Sequence, residues 1–82
     1  MEIKVLGPGC ANCKRLYQEA EQAVVQSGLD ATVTKVEAIE EIASFGILRT
    51  PGLAIDGKVV ASGRIPLAAE IVTMIMTAAA EA

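Results

Sequence analysis

Histidine and tryptophan are absent from this 82-residue sequence, and tyrosine and phenylalanine occur once each. Without histidine the chain lacks the side chain that most often serves as general base near neutral pH and as metal ligand. With only two aromatic rings, its core has to be built from Ile, Val, Leu and Ala. An excess of positive charge is missing too: seven Lys and Arg stand against ten Asp and Glu, a net charge of −3, which disfavours a nucleic-acid partner. No apolar run is long enough for a membrane. The longest uncharged stretch near the C-terminus, Ile71 to Ala80, is half of the ~20 residues a span needs. The chain opens directly on a strand pattern, Met1-Glu2-Ile3-Lys4-Val5, so a signal peptide is not expected and a cytoplasmic location is.

Thiols are scarce as well, and the two that exist stand together in Gly7-Pro8-Gly9-Cys10-Ala11-Asn12-Cys13-Lys14. This stretch follows a short apolar run, Ile3 to Leu6, that reads as a strand. It opens a segment, Cys13 to Ser27, that reads as a helix. A Cys-x-x-Cys at a strand-to-helix junction, with no other thiol in the chain, points to redox chemistry. Residues three apart on a first helical turn lie ~5–6 Å apart, a separation that a disulfide spans.

The two sulfurs are not equivalent. At ~3.6 residues per turn, Leu16, Ala20, Ala23 and Val24 share one helix face, and Cys13 points near its middle. Lys14, Arg15, Gln18, Glu19 and Gln22 take the opposite side. Cys10 stands at the helix start, where unpaired backbone N–H groups and the helix dipole favour a thiolate. Cys10 is thus the expected attacking nucleophile and Cys13 the resolving thiol. Lys14 and the backbone N–H groups of Asn12 and Cys13 are placed to tune the first sulfur. Packing in a core and binding of a soft metal, Cu(I) or Zn, are the other uses such a pair has.

Taken in order, Glu2 to Leu6 forms the first strand, with Ile3 and Val5 on one face and Glu2, Lys4 and Leu6 on the other. Gly28 stands where a left-handed helix cap belongs, with Leu29 placed to fold back on the last turn. Thr32 to Val36 is rich in β-branched residues and reads as a second strand. Ile39, Ile42 and Ala43 recur at helical spacing between Ala38 and Phe45, and Gly46 stops that helix. Beyond the connector Ile47-Leu48-Arg49, Thr50-Pro51 precedes a strand at Leu53-Ala54-Ile55. Asp56-Gly57 is a hairpin dipeptide, and Lys58 to Ala61 is the return strand.

Pro66 suits the first turn of a last helix, whose core stripe is Leu67, Ile71, Met74, Ile75 and Ala78. Val72 and Met76 flank the stripe and offer a weak contact surface, so a monomer or a weak homodimer is expected. The whole pattern is a single domain over residues 1–82. It is an α/β fold of order βαβαββα, with a four-stranded mixed sheet and helices on both faces.

With these motifs in this order, the chain resembles the thioredoxin superfamily, and within it the small, glutaredoxin-sized redox-active disulfide proteins of bacteria and archaea. The carriers of the resemblance are Gly7 to Cys13, Thr50-Pro51, Ile55 to Val60 and Ser62-Gly63-Arg64. It implies a thioredoxin-like fold in which Pro51 is a cis-proline opposite the cysteine pair. It implies thiol–disulfide oxidoreductase activity, in which the dithiol reduces disulfides of partner proteins and a reductase recycles it. Cys10 and Cys13 are then the redox group, with no separate cofactor and no metal. Thr50, Pro51 and Gly63 become substrate-binding positions, and Pro8, Gly9, Ala11, Asn12 and Lys14 modulate the sulfurs. A cis X-Pro bond costs little and holds a tight backbone geometry, and the segment before Pro51 is placed to pair with an extended substrate.

The chain also departs from the families it resembles. Thioredoxins proper carry Trp before the first cysteine and Gly-Pro between the two, where this chain has Gly9 and Ala11-Asn12. Lys4 stands where they have a buried acid. Ser62-Gly63-Arg64 replaces the Gly-Gly-Asp with which glutaredoxins hold glutathione, and Tyr17 and Phe45 read as core aromatics. A Gly-x-x-Cys-x-x-Cys after a first strand resembles copper-carrying metallochaperones too, but in those a strand follows the second strand, where this chain has a helical pattern. A soft-metal module or a redox-sensing interaction domain is the alternative reading.

Overall fold

The computed structural model describes residues 1–81 and has seven elements in the expected order. They are β1 (Glu2–Leu6), α1 (Ala11–Ser27), β2 (Thr32–Val36), α2 (Ile39–Ser44), β3 (Gly52–Ile55), β4 (Lys58–Ser62) and α3 (Ala68–Glu81). The strand order across the sheet is β2-β1-β3-β4, with β1 and β2 parallel and the other two pairs antiparallel. Asp56 and Gly57 close the hairpin with φ of 48° and 85°, the left-handed values that match the twist of a two-residue turn. That turn is tied to β1. The Glu2 N–H donates to Asp56 Oδ1 and the Asp56 N–H to the Glu2 carbonyl, each at 2.8 Å. Leu53 pairs with Ala61 while Ala54 pairs with Val59, so Val60 is the extra residue of a β-bulge.

Strand alternation assigns the two faces. Ile3 and Val5 of β1, Leu53 and Ile55 of β3 and Ala61 of β4 pack with Leu16, Ala20 and Ala23 of α1 and with Ala68, Ile71 and Ile75 of α3. Leu6, Val36 and Ala54 turn to the opposite face and meet Ile42 of α2, with Phe45, Ile47 and Val59 around them. Helices therefore cover both faces. The small buried residues Ala20, Ala23 and Ala68 let the helices lie close to the sheet.

One polar contact joins α1 to α3. Glu19 Oε1 accepts the Ala68 N–H at 2.8 Å, satisfying a donor that the start of α3 leaves free. Glu19 is half-buried for this reason, not on the solvent side where helical spacing placed it. Other departures fall at element ends, where helical phase does not dictate direction. Leu67 precedes α3, is 62% exposed and contributes only its carbonyl, which accepts the Ile71 N–H. Pro66, expected in the first turn, is buried just ahead of the helix. Ile39 is the first residue of α2 and is 73% exposed. Leu29 is exposed beyond the Gly28 cap, its N–H bonded to Ser27 Oγ.

Burial separates two positions on α1. Leu16 is fully buried, and Val25 is 80% exposed. Leu16→Ala should cost about 2–5 kcal/mol, a large share of the stability of so small a domain. Val25→Ala should change stability by less than about 0.5 kcal/mol. Urea unfolding midpoints at unchanged m-value measure both, and comparable losses at the two sites would contradict this packing.

Candidate active site

The redox pair is positioned by the junction of β1 and α1. Cys10 is the N-cap of α1, with extended backbone at φ −68° and ψ 169°, and its Sγ accepts the Cys13 N–H at 3.2 Å. Sulfur does here what a Ser or Asp oxygen does in other caps. Of the two backbone groups expected to reach this sulfur, the Cys13 N–H is the one that does. The Cys10 carbonyl accepts the Lys14 N–H at 3.0 Å, the first bond of the helix. A disulfide joins Cys10 to Cys13, with the Cα atoms 5.0 Å apart. Cys10 is exposed, while Cys13 is only 5% exposed beneath it. Helix α1 begins at Ala11, two residues before the expected start, which makes Cys10 its cap.

Gly7 is the residue under Cys13. It is buried, its N–H donates to the Val36 carbonyl at 2.9 Å, and a Cβ added to it would fall on Cys13 Sγ. The same Cβ would stand 3.9 Å from Pro51 Cα, so Gly7 lies between the sulfur and the proline. The Thr50–Pro51 bond is cis, as expected. The buried Pro51 accepts the Gly63 N–H on its carbonyl at 2.9 Å, and Gly63, at φ 74°, rests against the Arg49 side chain. Pro51 and Gly63 are thus joined, and Pro51 is the one that neighbours Gly7 under the sulfur.

Thr50 is exposed and, with Pro8, borders an apolar cleft of about 290 Å³ walled by Ile39, Ile42, Ile47 and Leu48. Ala11, Asn12 and Lys14 lie exposed on the first turn of α1, and Gly9 precedes them at φ 91°. Lys4, by contrast, is not part of the site. Its Nζ stands 3.2 Å from Glu2 Oε1 and 5.6 Å from the Phe45 ring centroid, on the α2 side of the sheet. Phe45 packs on the smaller core cluster and Tyr17 on the larger. Among the described residues, no three His, Cys, Asp or Glu side chains converge on a possible metal position, and two thiolates alone do not close a tetrahedral zinc site.

A family described as Thioredoxin domain matches residues 1–76. The chain belongs to the thioredoxin family. It is 39% identical over 71 residues to a thioredoxin of Methanothermobacter thermautotrophicus, a match covering 87% of this chain and 92% of that one. It is also 39% identical over 69 residues to a thioredoxin of Methanocaldococcus jannaschii, covering 84% and 79% respectively. With a disulfide in Cys-x-x-Cys spacing at the start of its first helix, this family member is a thiol–disulfide oxidoreductase. Membership implies, in general terms, disulfide-bearing protein substrates and a reductase.

Two residues of the site escaped the sequence reading. Gly7 has a steric role that its neighbour Gly9 does not share. Glu37, just past β2, reaches the cysteine motif: a Cβ on Gly9 would stand 2.9 Å from its Oε2. Near Gly63, Arg64 holds Glu70 of α3 at two points, Nη1–Oε1 at 3.1 Å and Nη2–Oε2 at 2.6 Å.

Two measurements follow from this geometry. In the reduced protein, iodoacetamide should label Cys10 at least about tenfold faster than Cys13, because Cys13 is covered. Peptide-resolved mass spectrometry reads the two rates, and equal rates would remove the asymmetry. The hydrogen bonds from Arg64 hold the Glu70 carboxyl below its ordinary range. A carboxyl lower in the folded than in the unfolded chain stabilises at neutral pH, and that contribution fades as pH falls through its folded value. The pair is half exposed, so the effect is small and weakened by salt. In Arg64→Ala, the Glu70 titration midpoint followed by carbon NMR should move upward.

Proposed function

We propose that the protein is a dithiol reductant of partner disulfides, with Cys10 attacking and Cys13 resolving. The Cys10 thiolate attacks one sulfur of the partner disulfide and releases the first partner thiol. A mixed disulfide then links Cys10 to the partner. Cys13 attacks Cys10 Sγ, the Cys10–Cys13 bond closes and the second partner thiol leaves. Two electrons pass to the partner, and the disulfide itself is the only redox group required, with no added cofactor or metal.

The observation that carries this reading is the difference between the sulfurs. One is exposed at a helix cap, and the other is covered by the same turn and backed by Gly7. Thr50, Pro51 and Gly63 form the wall along which an extended partner segment lies, pairing with the backbone at Thr50. The cleft beside Pro8 and Thr50 takes an apolar side chain next to the partner's disulfide. Pro8, Gly9, Ala11, Asn12 and Lys14 set the local field and access at Cys10.

The working unit is one domain over residues 1–82, acting as a monomer or as a weak homodimer through the half-buried Val72 and exposed Met76 of α3. A dithiol kept reduced by a reductase fits the cytoplasm. The partners are proteins, not nucleic acid or membrane. The net charge supports the first exclusion, and among the described residues no helix is long and apolar enough to cross a membrane.

The test is trapping. Cys13→Ser should accumulate a mixed disulfide with a disulfide-bonded substrate such as insulin, seen on non-reducing gels and lost with reductant. Cys10→Ser should accumulate little. The reverse pattern would exchange the two roles, and no adduct with either would overturn the reading.

A further inference from the structure

The resolving step needs a proton acceptor. Cys13 is buried, burial favours the neutral thiol over the thiolate, and only the thiolate attacks. Among the described residues, the cleft beside Cys13 is lined by one carboxylate. This cleft, of about 70 Å³, is floored by Val5 and Gly7 and opens on the β2 side of the motif. Its ionisable lining is Cys13 itself, Lys14 of α1, Lys35 of β2 and Glu37 just beyond β2. It has room for water beside polar groups.

We infer that Glu37 accepts the Cys13 proton during resolution, directly or through water in this cleft. The inference rests on the assignment of Cys13 as resolving thiol. Three observations carry it. First, the carboxylate lies against the motif, in space that a side chain at Gly9 would take. Second, Lys35 is held in place, its Nζ 4.7 Å from the centroid of the Tyr17 ring, one turn along α1 from Cys13. Its ammonium lines the same cleft as the Glu37 carboxylate. Third, Glu37 is exposed, so a proton taken at its inner side returns to water at its outer side. Lys4 lies on the opposite face of the sheet beside Phe45, and Glu40 and Glu41 of α2 do not line the cleft.

The step balances. As the mixed disulfide resolves, the bond between Cys10 Sγ and the partner sulfur breaks and the bond between Cys13 Sγ and Cys10 Sγ forms. The electron pair leaves on the partner thiolate. The Cys13 proton passes to the Glu37 carboxylate and on to the departing thiolate or to solvent. Glu37 is ionised again once the product has gone.

The aromatic disulfide reagent 5,5′-dithiobis(2-nitrobenzoate), used in less than stoichiometric amount on the reduced protein, separates the two steps. Its first coloured thiolate reports attack by Cys10, and its second reports resolution by Cys13. Glu37→Gln should leave the first release unchanged and slow the second by about tenfold or more, within or below the usual range for general bases. Its second phase should rise in proportion to hydroxide, with a shallower dependence in the parent protein. In Glu37→Ala, added formate should restore the second phase.

An unchanged second phase in Glu37→Gln would overturn the inference. A faster one would do so too, since it would mark Glu37 as only a negative charge opposing the thiolate. Failure of formate to rescue Glu37→Ala would reduce the residue to a structural part. If instead the parent protein gave no first release, or gave it from Cys13, the assignment of the two cysteines would fall before this inference was reached.

Discussion

The Cys13 sulfur occupies the space that a side chain at position 7 would need. This close approach of helix to strand fixes the arrangement around it. Gly7 continues the β1–β2 ladder by one bond, through its N–H to the Val36 carbonyl. The helix that follows therefore starts directly above the end of the sheet. Glycine is the residue that permits such an approach. Once Cys13 is pressed against this strand, Cys10, three residues earlier on the same turn, has to lie at the rim. The chemical difference between two identical side chains thus comes from one contact with backbone.

Holding α1 at that height depends on the rest of the core. Leu16, Ala20 and Ala23 continue the buried face that begins at Cys13, and Ile71 and Ile75 of α3 pack into the same layer. Glu19 adds a polar fastening by accepting the Ala68 N–H. A core of aliphatic and alanine side chains keeps the helices close to the sheet, and interiors packed to crystal-like density do not yield smoothly to displacement. The disulfide therefore opens and closes on a platform whose shape is fixed by packing remote from the sulfurs.

Local signals placed the four strands in the sequence: a short apolar run for β1, β-branched residues for β2, and the Asp56-Gly57 dipeptide between β3 and β4. The repeat of Cys13, Leu16, Ala20 and Ala23 marked the inward face of α1. What escaped was set by contacts between distant segments. Nothing near Glu19 says that the start of α3 will supply a donor. Leu67 and Ile39 look like core residues until the helix boundary is known. Gly7 and Gly9 are indistinguishable in a Gly-Pro-Gly run, yet only one lies under a sulfur. Glu37 follows β2 with no motif around it. A signal for it did exist: if β1 and β2 are parallel, the residue after Val36 comes beside the residue after Leu6.

That last point extends to the whole site. Leu6 pairs with Val36 on one side and with Gly52 on the other, and Gly52 pairs with Ser62. The positions one step beyond this row are Gly7, Glu37, Pro51 and Gly63. They are far apart in the chain, but the mixed sheet brings all four to one edge, because β1, β2 and β4 end there and β3 begins there. The Gly63 N–H on the Pro51 carbonyl is the ladder continued into that row. The start of α1 then sets Cys13 above Gly7, within the same row. A parallel pair beside an antiparallel hairpin thus gathers backbone, thiol and carboxylate at one sheet edge, with no long loop needed to carry any of them. The cysteine pair draws its working surroundings from strand direction and register.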